Sequence, residues 1–401
     1  MVNPLTGTVK DVNKNIQGPL SGVRVLDMTR VLAGPFATMS LADMGADVIK
    51  IERPGHGDDT RAFGPPFVEG ESTYFMSINR GKRSVVVDLK SEKGRSILHG
   101  IAGQSDVLVE NFRAGVLERA GLGCTRLQED FPGLIYASIS GFGQQGLAEY
   151  VRAPGYDLLV QSLSGVVSLT GHADGKKTKA GVSIGDLVGG LYCVQGILAA
   201  LYEREKTGLG QRVDISMLDG LVSLLTYHSG NYLATGNVPQ RMGTRHPSIC
   251  PFEVFSTADG QLAICCGNDA QFVRLAHALG FSDCLNDARF QTNAARVEHR
   301  DALIPELERL FIQKTSQQWI DLLERKDVDV PCAPVQDVAG ALAHPQLRAR
   351  GLIKEVQHPK AGSMEAVGSP VRLGTYSGFN ERPAPILGEH TAEVLQELGL
   401  E

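Results

Sequence analysis

The sequence lacks any block of one charge and any obvious signal for a membrane. Its 401 residues hold 39 Lys and Arg against 45 Asp and Glu, a formal net charge of −6. This balance excludes nucleic acid and anionic membranes as main partners, because both require an extended basic surface. By inspection, no apolar run approaches the ~20 residues that span a bilayer. We therefore expect a soluble protein that binds any anionic ligand through local Lys and Arg residues.

Cysteine is scattered, and paired-cysteine and metal motifs are missing. The seven cysteines form no CxxC pair, their number is odd, and several lie in apolar runs such as LAICC. This pattern is typical of buried thiols in a reducing compartment. No HExxH segment or Cys/His cluster indicates a metal site. Residues 1–20 have no apolar core and no arginine but contain Asp11, so we expect no leader peptide and a cytoplasmic location.

Strand and helix patterns alternate through the first half of the chain. Helical segments at 36–46, 91–104 and 187–205 separate short apolar runs that read as strands at 23–28, 46–52, 84–89, 106–111, 134–140 and 211–218. The last of these strands leads into a further predicted helix at 219–235. Continuous apolar strands alternating with helices predict an α/β fold with a parallel, doubly wound, Rossmann-like sheet.

The composition changes near residue 230. A stretch rich in Gly, Pro and Thr (235–260) is followed by a strand at 261–267 and by helices near 271–280, 302–314 and 316–325. Sheet-like residues return at 371–377, and a helix follows residues 387–391. We predict an N-terminal arm (1–20), a large domain (21–229), a smaller α+β domain (230–340) and a C-terminal return to the large domain (341–401).

A glycine-rich segment, GFGQQG (141–146), fits the G-x-G-x-x-G pattern of nicotinamide-binding proteins. That fingerprint needs a long helix directly afterwards, but Pro154 interrupts the residues that follow. The segment therefore predicts a turn at the carboxyl edge of the sheet. Basic residues also follow several predicted strands, and together they favour a phosphorylated carrier: Arg30, Arg53, Lys82, Arg83, Lys90 and Arg119.

One carboxylate stands out in GVSIGDLVGG (181–190). Asp186 precedes a helical stripe and is flanked by Gly185, Gly189 and Gly190. It fits a helix N-cap, where the free N–H groups and the helix dipole keep a carboxylate ionised. The glycines would let a bulky substrate approach and would leave N–H groups free for an oxyanion. Asp186 is therefore both a cap candidate and a candidate covalent nucleophile.

Long ordered motifs of this sequence resemble the class III coenzyme A transferases, the CaiB/BaiF or formyl-CoA transferase family. The resemblance runs from residue 20 to the end. It rests on LSGVRVLDMTRVLAGPFATMSLADMGADVIKIERPGHGDDTR (20–61), NRGKRSVVVDLK (79–90), DVLVENFRAGVLERAGLG (106–123), GVSIGDLVGG, KTGLGQRVDISMLDG (206–220) and LGEHT (387–391).

The resemblance implies a role for each matching position. Asp186 would attack an acyl-CoA thioester to form an acyl-aspartyl anhydride, which the thiolate converts to an aspartyl-CoA thioester. Tyr156 matches a tyrosine near the acyl group, and Gly243 lies where the family has a glycine-rich loop. The positions that match CoA contacts are Val31, Leu32, Ala33, Arg53, Val87, Lys90, Asn111, Phe112 and Arg119. CoA would be a substrate, with no permanently bound cofactor, and the family implies an interlocked homodimer.

The resemblance also limits the substrate. Related racemases have a Gly-His-Asp triplet where this chain reads Gly155-Tyr156-Asp157, so a racemase is a weaker alternative, as is a non-catalytic CoA-binding homologue. One glycine, Gly243, replaces the glycine-rich loop, which argues against oxalate or formate. Several segments look like the subgroup that moves CoA from succinyl-CoA to glutarate. Arg241 and Arg245 would bind the distal carboxylate of a dicarboxylic acid, or would only fix their own loop.

Overall fold

The computed structural model describes residues 18–374 and 376–401, and these divide into two compact units. The large unit holds the described residues through Val166, together with Ala180–Gly230 and Pro345–Glu401. The small unit holds Val167–Lys179 and Asn231–His344. Most of the predicted N-terminal arm lies outside the described residues.

The described residues contain thirteen strands. They are β1 (Arg24–Asp27), β2 (Asp47–Glu52), β3 (Phe67–Val68), β4 (Glu71–Ser72), β5 (Lys82–Val86), β6 (Val107–Glu110), β7 (Ile135–Ser140), β8 (Arg212–Ser216), β9 (Phe252–Ser256), β10 (Gln261–Cys265), β11 (Cys332–Pro334), β12 (Ile353–His358) and β13 (Gly362–Val367).

The described residues also contain eighteen α-helices and two short 3₁₀ helices (Asp59–Ala62 and Ser282–Asn286). The α-helices are α1 (Ala33–Asp43), α2 (Thr73–Ile78), α3 (Glu92–Ala102), α4 (Val116–Arg119), α5 (Cys124–Asp130), α6 (Ala148–Val151), α7 (Asp157–Leu163), α8 (Val166–Leu169), α9 (Ile184–Thr207), α10 (Met217–Ser223), α11 (Tyr227–Thr235), α12 (Asp269–Ala278), α13 (Asn293–Glu298), α14 (Arg300–Phe311), α15 (Ser316–Leu323), α16 (Val338–Ala343), α17 (Pro345–Ala349) and α18 (Thr391–Leu398).

Six parallel strands form the central sheet of the large unit, in the order β5-β2-β1-β6-β7-β8. Both faces of this sheet are covered, which explains the continuous apolar runs: Val107, Leu108 and Val109 of β6 are all fully buried. Helices α1 and α9 pack on one face, and α3 and α18 pack on the other. The predicted α/β, Rossmann-like sheet is confirmed.

The small unit has its own core and a different architecture. An antiparallel sheet in the order β11-β10-β9 packs against α12, α14 and α15. At the centre, Phe311 stacks on Phe255 and meets Trp319 edge-on, at centroid distances of 4.7 and 5.2 Å. Trp319 also donates its indole N–H to the Phe311 carbonyl. This is the α+β arrangement that the change of composition predicts.

Three local predictions differ from the structure. The predicted helix 219–235 is two helices, α10 and α11, separated near Thr226, which has a left-handed φ of +43°. Residues 371–377 form one isolated bridge between Leu373 and Tyr376, with Thr375 outside the described residues. The hairpin of the C-terminal segment is β12–β13, whose mixed polar sequence gave no strand signal.

Helix α9 corrects the expectation about apolar runs. This helix of 24 residues is long and apolar enough to cross a membrane, judged by length and composition alone. However, Cys193 and Ile197 are fully buried in the core against the sheet, and Gly190 lies against the backbone of α1, where an added Cβ would be 2.8 Å from the Ala33 carbonyl oxygen. The apolar character of α9 therefore serves contacts inside the large unit.

A buried ion pair fastens the C-terminal segment to the N-terminal part of the large unit. The Arg80 guanidinium donates to both oxygens of Asp43, at 2.6 and 2.8 Å, and to the Asn380 carbonyl at 2.7 Å. The Asn380 N–H donates to the same Asp43 carboxylate, and Arg80 lies 4.1 Å above the ring of Phe379. Both charged side chains are 3% exposed, so each depends on the other to neutralise its buried charge.

We predict that Arg80→Ala lowers the free energy of unfolding by about 3 kcal/mol, because it leaves the Asp43 carboxylate buried without its cation. Urea denaturation measures this change. The matched control is Arg348→Ala, which breaks the exposed pair with Glu365 and should change the free energy of unfolding far less, because water screens this pair. Equal losses in the two variants would contradict the assigned role of the buried pair.

Candidate active site

The carboxyl ends of β1, β6 and β7 and the first turn of α9 surround a cavity of about 660 Å³, which we call the large cavity. This edge is where α/β sheets bind ligands. The predicted site residues that line it are Val31, Leu32, Ala33, Asn111, Phe112, Tyr156 and Asp186. Ser140 and Asp157 also line it, and the sequence did not single them out.

Asp186 lies in the first turn of α9, not at its cap. The helix begins at Ile184, its N-cap residue is Ser183, and that side chain makes no capping hydrogen bond. The N-cap interpretation of Asp186 is therefore wrong by three positions. GVSIG also has the spacing of a serine nucleophile elbow, but residues 170–183 contain no strand, so the strand–turn–helix of that motif is not formed.

The N-terminus of α9 is capped by Asp157, a residue far from it in the sequence. Its Oδ1 accepts the N–H of Gly185 at 2.8 Å and that of Asp186 at 3.4 Å. Its Oδ2 accepts a hydrogen bond from the side-chain amide of the fully buried Gln161, whose Oε1 accepts the N–H of Ala180. Asp157 thus fixes both the start of α9 and the segment leading to it. In the sequence, Asp157 is marked only by the Gly-Tyr-Asp triplet, which does not show that its carboxylate caps α9.

The ionisation of Asp186 also differs from the expectation. Burial raises the pKa of its carboxyl to about 7, and the negative charge of Asp157 adds to the shift. The helix dipole does not hold this pKa at the ordinary value, because half-burial removes water from the carboxylate and Asp157 already occupies the first N–H groups. A carboxylate destabilised in this way is a stronger base and nucleophile than an exposed aspartate.

The glycines beside Asp186 serve packing. The N–H of Gly185 is taken by Asp157, so it is not a free oxyanion donor. A Cβ on Gly189 would lie 3.0 Å from the Met217 side chain, and Gly190 touches α1 as described above. Both lie inside α9, where helical hydrogen bonds use their N–H groups. These glycines let α9 approach its neighbours closely, and the oxyanion role predicted for them has no geometric support.

Two buried ion pairs lie beneath the loop after β1. The Lys50 ammonium donates to Asp58 at 2.9 Å and to the Thr29 carbonyl at 3.0 Å. Lys82, also fully buried, lies 3.0 Å from Asp27, whose other oxygen accepts the Thr29 N–H. Burial acts to raise the pKa of Asp58, but the Lys50 charge and the Thr60 hydrogen bonds outweigh it and hold that pKa at about 2. Lys82 is therefore structural, not a residue of the open crevice.

This buried cluster fixes an unusual backbone. Val31 has a φ of +68°, a left-handed conformation that β-branched residues rarely adopt. Its N–H donates to Asp58 at 3.2 Å. The next strand end contributes as well, since the Asn111 side chain accepts the Arg30 N–H at 3.0 Å and donates to the Arg30 carbonyl at 2.7 Å. The wall of the large cavity is thus held rigidly from below and from the side.

A second cavity of about 230 Å³ lies at the ends of β1, β2 and β5, and we call it the small cavity. Arg53, Val87, Lys90 and Phe112, all predicted CoA contacts, line it. Arg30 and Phe112 line both cavities, with the guanidinium 5.6 Å from the ring centroid. The two cavities are therefore neighbours along one sheet edge.

Some predicted residues lie elsewhere. Arg119 is exposed at the end of α4 and is not among the residues that line either cavity. In the small unit, Gly243 has a φ of +64° and donates its N–H to Gly171. Arg241 donates to the carbonyls of His172 and Gly175, and Arg245 pairs with Glu253 at 3.1 Å.

Comparison with known proteins establishes the class. Residues 20–391 match the CoA-transferase family III. The chain therefore belongs to this family and is a CoA-transferase. Within residues 18–374 and 376–401, no group of three or more His, Cys, Asp or Glu side chains is placed to hold a metal ion.

Individual relatives resemble the chain over nearly its whole length. A human succinyl-CoA:glutarate CoA-transferase is 40% identical over 98% of this chain and 89% of its own. An acetyl-CoA:oxalate CoA-transferase of Acetobacter aceti is 44% identical over 95% of this chain and 96% of its own. The crystal structure of a CaiB/BaiF family protein from Brucella suis superposes with a TM-score of 0.86 at 40% identity, covering 95% of this chain and 99% of that one. The family resemblance read from the sequence is confirmed.

We predict that Asp186→Asn stabilises the protein at high pH. The carboxyl pKa is 3.8 unfolded and about 7 folded, so the folded state binds more protons between these values and loses stability as pH rises through them. Above pH 7 the free energy of unfolding of the amide variant should be higher than that of the parent by about 2–4 kcal/mol. Below pH 4 the two free energies of unfolding should be equal. Urea denaturation across pH 4–8 measures this difference.

Asp287→Asn serves as the control with the opposite sign. Its hydrogen bond to Arg289 lowers the pKa of Asp287, so the stability it contributes is present at neutral pH and is lost as pH falls. A difference between Asp186→Asn and the parent that stays constant across the range would contradict the raised pKa of Asp186.

Proposed function

We propose that the protein moves CoA from succinyl-CoA to a dicarboxylic acid such as glutarate, with Asp186 as the covalent nucleophile. The observation that carries the proposal is the half-buried Asp186 carboxylate. It lines a cavity at the carboxyl edge of the sheet, in a chain that belongs to CoA-transferase family III. Asp157 positions it through the first N–H groups of α9, and the low-polarity setting increases its nucleophilicity.

The proposed chemistry needs only carboxylates and a thiolate. The ionised Asp186 attacks the thioester carbonyl, the C–S bond breaks, and CoA leaves as thiolate with an acyl-aspartyl anhydride remaining. The thiolate attacks the aspartyl carbonyl and releases the donor acid, which gives an aspartyl-CoA thioester. The acceptor carboxylate attacks this thioester, and the released thiolate then takes the new acyl group and frees Asp186. No redox change occurs and no net proton is consumed, so we propose that no metal or permanently bound cofactor is required.

The two neighbouring cavities suit a long substrate. We propose that the nucleotide end of CoA binds at the small cavity near Arg53, Val87 and Lys90, and that its arm passes Arg30 and Phe112. The thioester would then reach Asp186 in the large cavity. Because the loop around Val31 is already held by Asp58, little ordering would be needed on binding.

The acid substrate is proposed from the relatives. The human relative is named for succinyl-CoA and glutarate, and the Acetobacter relative for acetyl-CoA and oxalate. Of the two candidate arginines, Arg241 fits a distal carboxylate better, because its hydrogen bonds go to neutral carbonyls and leave its charge available. Glu253 already neutralises Arg245.

We also propose a homodimer in the cytoplasm. Apolar side chains of α7 and α9 and of the residue before α7 are more than half exposed in the single chain, and a second subunit would cover them: Tyr156, Leu158, Leu163, Leu191 and Tyr202. All seven cysteines, which lie in the described part of the chain, are free thiols, as expected in a reducing compartment.

The transfer reaction itself tests the proposal. Purified protein is mixed with succinyl-CoA or acetyl-CoA and with glutarate, oxalate, malate, itaconate or acetate, and the CoA esters are separated chromatographically. We predict a new ester with at least one dicarboxylate, and a loss of at least a thousandfold in kcat for Asp186→Ala, because the covalent path is removed.

The outcomes separate the alternatives. Transfer that survives in Asp186→Ala would overturn the covalent role of Asp186. Tight CoA binding without any new ester would indicate a binding protein. Exchange of the α-proton of a branched acyl-CoA without transfer would indicate a racemase.

The distal carboxylate contact is tested by Arg241→Met. If the Arg241 charge binds the far end of glutarate, KM for glutarate rises about 10- to 100-fold while KM for acetate stays unchanged. Arg245→Met is the matched comparison and should change glutarate kinetics less, since Glu253 neutralises that residue. Unchanged glutarate kinetics in both variants would leave these arginines only a role in fixing their loop.

A further inference from the structure

The hydroxyl of Ser140 has no hydrogen-bond partner among the described residues. Within residues 18–374 and 376–401, its Oγ is the one buried side-chain oxygen or nitrogen without a hydrogen-bond partner. A buried hydroxyl that stays unpaired costs free energy, so such groups call for an explanation. Ser140 ends strand β7 and lines the large cavity together with Asp157 and Asp186. A buried, unpaired donor on a residue that lines a ligand cavity points to a contact that forms only when the ligand binds.

The neighbouring strand offers an internal comparison. Ser216 ends β8 and lies directly beside Ser140 in the parallel register. Its hydroxyl accepts the N–H of Asp219 at 3.2 Å and so caps α10. Two serines thus stand side by side at the same edge of the sheet. One hydroxyl has a structural partner, and the other has none.

A close backbone crossing holds Ser140 in place. A Cβ on Gly141 would lie 2.4 Å from the Cα of Gly155, so only glycine fits on either side of this crossing. Ser140 precedes one glycine, and Asp157 follows the other by two residues. The crossing therefore fixes Ser140 and Asp157 on one wall of the large cavity.

The order of the strands indicates which part of the substrate Ser140 would meet. The small cavity lies at the ends of β5, β2 and β1, whereas the large cavity continues past β6 to β7. A CoA ester that enters through the small cavity runs along this edge, and β7 lies at its far end. That end holds the acyl group or the acid, not the nucleotide.

Charge favours the acid oxygen as the acceptor of the Ser140 hydrogen bond. Asp157 and Asp186 both line the cavity, so an entering carboxylate meets negative charge. Arg30 lines the same cavity but lies 3.2 Å from Asp59, which reduces its attraction for another anion. A hydroxyl donor compensates the incoming carboxylate without adding a cation that would lower the basicity of Asp186.

We propose that Ser140 binds the acid substrate by donating a hydrogen bond from Oγ to a carboxylate oxygen. The inference rests on the proposed transfer function and adds to it a residue that selects the acid. CoA affinity does not depend on this hydrogen bond.

Ser140→Ala tests the proposal kinetically. We expect KM for the acceptor acid to rise about 10- to 100-fold, with the dissociation constant of free CoA within about twofold of the parent. Ser140→Thr keeps a hydroxyl and should recover part of the loss. Ser216→Ala is the matched control, and it should reduce stability without a selective effect on the acid. An unchanged acid KM in Ser140→Ala, or an equal loss of CoA affinity, would overturn the assignment.

A binding experiment separates this inference from the transfer function. Glutarate and succinate are titrated calorimetrically into CoA-saturated Asp186→Asn protein, which cannot turn over, with and without Ser140→Ala. A loss of acid binding of tenfold or more on Ser140→Ala supports the contact, even if the parent enzyme forms no new ester. Equal binding with and without Ser140, or no acid binding when Ser140 is present, overturns it.

Discussion

The geometry of the site depends on charges buried beneath the sheet edge. Lys50 and Lys82 have no contact with solvent, and Asp58 and Asp27 neutralise them. Buried ion pairs contribute little net stability, because desolvation offsets their attraction, but removing one partner is costly. Here they stabilise a backbone conformation that a β-branched residue disfavours. Val31 is left-handed, and its N–H donates to Asp58. The cavity wall therefore exists before a substrate arrives.

Sequence reasoning worked where the physical signal is local. Strands buried on both faces must be largely apolar, so β6 and β7 could be read directly, and the glycine-flanked Asp186 could be found from its neighbours. The β12–β13 hairpin was missed because its strands are mixed in polarity and largely exposed. Residues 224–226 were read as helix because their composition shows no Gly or Pro at the break.

The properties of Asp186 that matter for chemistry are not local. Its pKa depends on burial and on Asp157, which is 29 residues earlier in the chain. The Gly141–Gly155 crossing places the start of α7, with Asp157, beside the end of β7, and a sequence shows two glycines but not that they touch. Likewise, Ser140 and Ser216 look equivalent in sequence, and only the packing around each hydroxyl separates them.

The return of the chain to its first unit has a consequence for synthesis on the ribosome. The small unit takes most of its residues from the continuous segment Asn231–His344, so that core is available as soon as the segment emerges. The large unit must wait for the final helix, whose Val394 and Leu398 cover one face of the sheet. Until then, the part of this sheet face that Val394 and Leu398 cover stays open to solvent, and a partly folded chain with exposed apolar surface is prone to aggregation.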